Sequence, residues 1–231
     1  MSSIAIITAR GGSKRIPGKN LKIFCGKPII QYSIEAAQKS GLFEEIMVST
    51  NDPAIAELGK KLGVSVPFLR SETTSNDSAS IPSALIEVLL NYKEIGREFD
   101  YACCIFPTAP FITSSMLNNT FNILIEPKVD TVFPITVFDY PIQRSLEMDE
   151  EGKVSMVWPM YLKNRSQDLP PRYHDAGMFY WLKPNKFMKT ELIFSENSFG
   201  YEVSGLECHD IDSIIDWGIA ELKFQRLQNK S

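Results

Sequence analysis

The feature that most limits what this chain can become is the stretch at residues 4–20, IAIIT followed by ARGGSKRIPGKN. Residues 4–8 are short, apolar and β-branched, the composition of a strand buried on both faces of a parallel sheet. Gly11 and Gly12 follow at once, then Ser13 and the cations Lys14, Arg15 and Lys19, with Arg10 just ahead. The two glycines let the backbone approach a ligand closely and take φ values that other residues avoid. Cations in this number suit an anion with several phosphates. A glycine-rich loop at the carboxyl end of a strand is also where open α/β sheets bind ligands. The stretch therefore reads as a phosphate cradle, and as neither of the common kinds. Both G-x-x-x-x-G-K-[ST] and G-x-G-x-x-G are missing, and the next helix begins only after Gly26-Lys27-Pro28. A long, cationic, non-helical loop suits wrapping a triphosphate.

Downstream, strands and helices alternate. Residues 28–40 carry Ile29, Ile30, Ile34 and Ala37 at helical spacing before Gly41, and residues 46–50 read as a strand. Asn51-Asp52-Pro53 caps a helix to Lys61, Gly63 closes it, and residues 64–68 read as a third strand. A polar segment at 70–80 precedes a helix at about 81–94. Residues 101–106 read as a fourth buried strand, stopped by Pro107 and Pro110. A helix at 114–125 and a strand at 131–137 follow. This alternation predicts βαβ units, hence an α/β fold with a mostly parallel sheet and helices on both faces.

The alternation breaks at residues 138–175, a proline-punctuated, charged excursion with a hairpin turn at Glu151-Gly152. Excursions of this length inside a compact domain are usually functional or interfacial. YHDAGMFYW then enters an apolar strand, and another strand is expected near 201–203. A helix at 211–222 would carry Ile214, Ile215, Ile219 and Leu222 on one face, with Trp217 packed. Asp210 and Asp212 flank its start and Asp216 reads as structural. Tyr180 and Trp181 read as core.

At 231 residues a single domain with one elaboration is expected. A net charge of −4 argues against nucleic acid, and no apolar run reaches the length of a membrane span. The apolar stretch at the N-terminus is too short for a signal peptide. Cys25, Cys103, Cys104 and Cys208 show neither disulfide nor zinc spacing and read as reduced, packing thiols. The expected compartment is the cytoplasm.

The loop ARGGSKRIPGKN with the CGKPII turn resembles the signature of the cytidylyltransferases that activate nonulosonic (sialic-type) acids, and the resemblance runs over essentially the whole chain. It implies a Rossmann-like nucleotidyltransferase fold and the reaction of CTP with a free sugar acid to give a CMP-sugar and pyrophosphate. By this resemblance, Arg10, Gly11, Gly12, Ser13 and Lys19 hold the triphosphate, and Asn20, Arg70, Asp77 and Ser78 lie near the nucleotide, the last three from the family's R-x-x-x-x-x-x-D-[ST] segment. Asp210 and Asp212 match its metal-binding D-x-D pair, and hard carboxylate oxygens suit Mg²⁺. Arg10, Lys19 and Asp212 are the implied catalytic residues, and Lys14 and Arg15 stand farther out.

The residues at 138–175 resemble an arm that reaches into a second subunit, which implies a homodimer with arm exchange. Arg144 in PIQR and Arg165 and Gln167 in NRSQ match elements that face the sugar acid, whose carboxylate a guanidinium can grip at two points. His174 reads equally as a general base or as a hydrogen-bonding scaffold. Most of the family has L-Q-P-T-S-P where this chain has IFPTAP, so Phe106 replaces a polar contact to the sugar, and Thr108 is retained. With NRSQDLPPRYHDAG, that run resembles the pseudaminic acid branch, whose substrate has a methyl where N-acetylneuraminic acid has a hydroxyl. Legionaminic acid fits the same reasoning, and the product would feed surface or flagellin glycosylation in a bacterium. Two other readings are a dinucleotide-dependent oxidoreductase, disfavoured by the missing fingerprint, and a catalytically silent sugar-nucleotide binding protein.

Overall fold

The computed structural model describes residues 1–229. In chain order the elements are β1 (Ser3–Thr8), β2 (Ile23–Phe24), β3 (Lys27–Pro28), α1 (Ile29–Ser40), β4 (Glu45–Ser49), α2 (Pro53–Lys61), α3 (Glu72–Ser75), α4 (Ile81–Glu94) and β5 (Tyr101–Ile105). Then come α5 (Ser114–Leu124), β6 (Thr131–Val137), β7 (Leu146–Met148), β8 (Val154–Met156), β9 (Tyr173–Asp175), β10 (Phe179–Leu182), α6 (Pro184–Thr190), β11 (Ser198–Glu202) and α7 (Ile214–Gln228). The main sheet has the order β11-β6-β10-β5-β1-β4, with β9 paired to β6. β1 runs parallel to both β4 and β5, and β11 runs parallel to β6. β9 and β10 are the antiparallel members.

β1 is central because its side chains serve both faces. Ala5 and Ile7 join a core that includes residues of α1, α5 and α7, while Ile4 and Ile6 join one that includes residues of α4. All four are fully buried. Helices therefore cover both faces, as the alternation predicts.

Two expectations change. Residues 64–68 do not form a strand: a single parallel bridge joins Ser65 to Met47. Pro67 has no N–H to extend the ladder, and Phe68 instead packs edge-on against Tyr92 at 5.3 Å. On α7, the stripe expected to face the core is the exposed one, with Ile215 at 70% and Leu222 at 69%. The packed stripe is Trp217, Ala220, Phe224 and Leu227, and both Trp217 and Phe224 stand 5.5 Å from the Phe24 ring. Trp217 and the aromatic ring of Phe224 offer more area to bury than the isoleucines do, so they set the helix's rotation.

The excursion after β6 carries the expected hairpin, β7–β8, turning through Asp149 to Lys153. Among the described residues no helix is long and apolar enough to cross a membrane.

Candidate active site

The loop after β1 is held by backbone and amide contacts rather than by unusual dihedrals at its paired glycines. Neither Gly11 nor Gly12 has a positive φ; that conformation falls at Gly18 (φ 63°), just before a 3-10 turn at Lys19–Leu21. Gly11 is needed for space instead, since a Cβ there would lie 2.8 Å from Asp52 Oδ2. Its N–H donates to Asn51 Oδ1 at 3.0 Å. Asn20 is buried, and its amide donates to the carbonyl of Arg10 at 2.9 Å, tying the two ends of the loop together. Asn20 is therefore committed to the loop's own shape.

The loop encloses a cleft of about 360 Å³ lined by Thr8, Arg10, Ser13, Lys19, Asp77 and Thr108, with Lys14, Arg15, Asn20 and Pro107. A second cavity of about 200 Å³ continues it, sharing Thr8, Arg10, Pro107 and Thr108 and adding Arg70, Ser80 and Phe106. A larger cavity of about 540 Å³ lies between α1 and α7, away from these cations.

Every loop cation except Lys19 meets a carboxylate. Arg10 Nη1 lies 2.8 Å from Asp77 Oδ1, Lys14 pairs with the other oxygen of Asp77, and Arg15 Nη1 lies 2.8 Å from Asp212 Oδ2. Lys14 and Arg10 together hold the Asp77 carboxyl below its usual range. Lys19 donates to the carbonyl of Ile211 at 2.6 Å, between the two aspartates of the D-x-D pair. Burial lowers the Lys19 pKa, and Asp212 and Asp210 pull the other way.

Asp210 and Asp212 stand on the turn into α7, on either side of the fully buried Ile211. Asp210 packs beside Gly177, whose missing Cβ would lie 3.8 Å from Asp210 Cγ. Desolvation by the atoms packed around it, and then the nearby Asp212, raise its pKa above the usual carboxylate value. Two neighbouring carboxylates with hard oxygen donors fit a divalent cation that keeps waters and phosphate oxygens. Asp216 is structural as expected: it forms a capping box with Ser213 and accepts from the Asp212 N–H at 3.2 Å. The adjacent His209 is kept neutral by burial and by Lys223.

Arg70 is anchored by its Nε to Ser49 Oγ at 3.0 Å, while its Nη2 is buried with no partner among the described residues. Such an orphaned donor lining a cavity calls for a polar ligand group. Ser78 is not brought into the cavity; its N–H and hydroxyl both bond Asn76 Oδ1 in a local turn. Ser80, two residues on, lines the cavity instead, and its role as the α4 N-cap is the only signal the sequence offers for it.

Phe106 stands edge-on to Tyr180 at 5.3 Å, and Tyr180 meets Phe133, which meets Phe194. The Tyr180 hydroxyl donates to Asp175, and burial with that carboxylate raises its pKa. This aromatic wall continues from Phe106, and nothing in the sequence spacing of Phe133 and Phe194 separates them from core.

The arm residues lie elsewhere within one chain. Arg144 Nη1 bonds the carbonyl of Asn164 at 3.3 Å, Arg165 lies 3.8 Å from Asp168, and Gln167 lines a groove with Phe138 and Arg172. His174 is exposed, its Nδ1 2.8 Å from the carbonyl of Asp175 and its ring 4.7 Å from Phe138. None of these four lines the cation cleft or the cavity beside it.

The family model described as Cytidylyltransferase matches residues 4–196. The chain is 38% identical over 228 residues to a pseudaminic acid cytidylyltransferase of Campylobacter jejuni, covering 97% of each chain. It is 31% identical to a CMP-N,N'-diacetyllegionaminic acid synthase of Legionella pneumophila, covering 96% of this chain and 95% of that one. Its fold is similar to that of a CMP:2-keto-3-deoxy-manno-octonic acid synthetase complexed with CTP, with a TM-score of 0.70 at 19% identity, covering 99% of this chain and 100% of the other. A strand-borne cationic loop, a D-x-D turn facing it and these likenesses together place the chain in the cytidylyltransferase family.

Proposed function

We propose that this protein transfers the CMP group of CTP to a nonulosonic acid, with pseudaminic acid as the preferred acceptor. The observation that carries the reading is a cleft lined by Arg10, Lys14, Arg15 and Lys19 whose loop is joined to the D-x-D turn, Arg15 by its ion pair with Asp212 and Lys19 by its bond to the Ile211 carbonyl. Relatives that share nearly the full length of the chain are pseudaminic and legionaminic acid enzymes, which supports the acceptor class.

In this reading Arg10, Ser13 and Lys19 hold the triphosphate, and the cytosine enters the cavity of Arg70 and Ser80, where the orphaned guanidinium N–H finds an acceptor. Asp210 and Asp212 would hold Mg²⁺, which neutralises charge on the triphosphate and the leaving pyrophosphate. The anomeric oxygen bonds to the α-phosphorus, the bond from that phosphorus to the bridging oxygen breaks, and the hydroxyl proton is released. Arg10 and Lys19 place cationic charge where negative charge builds. Lys19 also fixes the Asp210–Asp212 turn against the loop through the Ile211 carbonyl. Asp77 occupies the cations when no nucleotide does and gives way to phosphate.

The sugar sits against the Phe106 ring, which stands where the family's polar contact would be, so a methyl is preferred to a hydroxyl at that point. Its carboxylate is met by Arg144 and Arg165, with Gln167 and His174 near, from the arm of a second copy. Arm side chains such as Met148 (73% exposed) and Met160 (70% exposed) await a partner surface. The working form is a homodimer in the cytoplasm, with a product suited to surface or flagellin glycosylation.

The test is Mg²⁺-dependent pyrophosphate release from CTP with pseudaminic, legionaminic and N-acetylneuraminic acids side by side. Fastest release with pseudaminic acid is expected. A preference for either other acid would overturn the choice of acceptor, and no release with any of them from folded protein would leave a nucleotide-binding protein.

A further inference from the structure

The turn that presents Asp210 and Asp212 is gripped from behind by one lysine on α7. Lys223 Nζ lies 2.7 Å from the carbonyl of Gly205, 3.1 Å from the carbonyl of Cys208 and 3.3 Å from His209 Nδ1. An ammonium has three N–H donors, and here all three have acceptors. Because Nδ1 accepts, the ring proton of neutral His209 is on Nε2, which is buried and lies 3.8 Å from Asp216 Oδ1. Asp216 in turn holds the N–H groups of Asp212 and Ser213 at 3.2 and 2.7 Å. Lys223 and Asp216 therefore clasp opposite ends of the segment 205–213 to the same helix. That helix is seated by Trp217, Ala220 and Phe224 in the core, so its register is passed directly to the turn.

We infer that Lys223 is a positioning residue that sets the spacing of Asp210 and Asp212 through the Gly205 and Cys208 carbonyls and the His209 ring. The inference rests on the reading of those aspartates as metal ligands. Groups that orient ligands from the second layer typically change metal affinity about 10–100-fold when removed. Lys223→Met keeps an unbranched chain out to the ε carbon and loses all three donors.

The experiment measures Mn²⁺ binding to the protein–CTP complex by electron paramagnetic resonance, without sugar acid, for wild type and Lys223→Met, Lys223→Arg, Asp212→Ala and Lys183→Met. Lys183 makes the same kind of lysine-to-carbonyl bond, to Glu126 at 2.9 Å, away from the site, and serves as the control for general destabilisation. Lys223→Met is expected to weaken Mn²⁺ about tenfold, Lys223→Arg to recover most of that, and Lys183→Met to change nothing. In metal-free protein, amide exchange across 205–213 should rise in Lys223→Met and remain at the wild-type rate in Lys183→Met. Asp212→Ala separates the two ideas. If it weakens Mn²⁺ while folded Lys223→Met does not, the positioning role is overturned and the metal reading stands. If Asp212→Ala leaves Mn²⁺ affinity intact, the metal reading falls and takes this inference with it. If Lys223→Met alone unfolds, the decision passes to Lys223→Gln, whose shorter amide cannot reach all three acceptors; wild-type exchange and wild-type Mn²⁺ affinity in that variant would overturn the positioning role.

Discussion

Within one chain the cation cleft and the arm differ in how their charges and apolar surfaces are met. In the cleft, Arg10 and Lys14 face Asp77, Arg15 faces Asp212, and Lys19 reaches the backbone between two aspartates. Its floor is the buried β1 and its walls are loops tied by Asn20 and Asn51. The arm has the reverse character. Arg144 meets the carbonyl of Asn164, Arg165 lies 3.8 Å from Asp168, and Leu146, Met148, Met160 and Leu162 all stand mostly in solvent. The cleft's charges are met within one chain, while the arm leaves its apolar side chains exposed. Under the proposed function the nucleotide half of the site is a local property of the chain, and the sugar half depends on a second copy.

Three substitutions sharpen that contrast, in falling order of effect. Lys19→Ala removes both a phosphate contact and the strut to Ile211, so kcat/KM should fall about 10²–10³-fold while the circular dichroism spectrum is retained. Steady-state kinetics with either substrate varied would show the loss. On the proposed reading, Arg165→Ala takes a guanidinium from the carboxylate of the acceptor. It should raise KM for the sugar acid about 10–100-fold and leave KM for CTP within about twofold. A matching rise for CTP would mean that the arm serves the nucleotide, and the division of the site would be wrong.

Asp77→Asn has the smallest and least intuitive effect. Removing the carboxylate that occupies Arg10 and Lys14 should lower KM for CTP about 2–5-fold, because phosphate then has no competitor. A rise would mean that Asp77 contacts the nucleotide directly. The Asp77 pKa is depressed by Lys14 and Arg10. The ion pairs are therefore fully formed above the ordinary aspartate pKa and are lost only as pH falls through the lower value in the folded protein. The difference between wild type and Asp77→Asn should accordingly persist at neutral pH and close in strong acid.

The cleft was legible in the sequence to the extent that its chemistry is contiguous. β1, the cationic loop and the D-x-D turn each lie in a short run of residues, and α4 begins and ends at Ile81 and Glu94 as its pattern predicts. What escaped was set by tertiary space. Gly11 is required by the nearness of Asp52 rather than by a dihedral, and α7 turned its aromatic stripe inward over its isoleucine stripe. Ser80 took the cavity position expected of Ser78 because Asn76 claims the latter in a local turn. Lys223 reads as an ordinary surface lysine until the segment at 205–209 folds back on α7. Residues 64–68 lost their strand to Pro67.

The most direct measurement is turnover by a heterodimer of Lys19→Ala with Arg165→Ala, purified through two different affinity tags. With sugar acid held far below the wild-type KM, each homodimer is expected to run at about a tenth of the wild-type rate or less. If one active site joins the cleft of one copy to the arm of the other, the heterodimer holds one site with both lesions and one with neither, and regains about half the wild-type rate. A purified heterodimer no more active than its parents would contradict the account, because each site would then draw its cleft and its arm from the same chain.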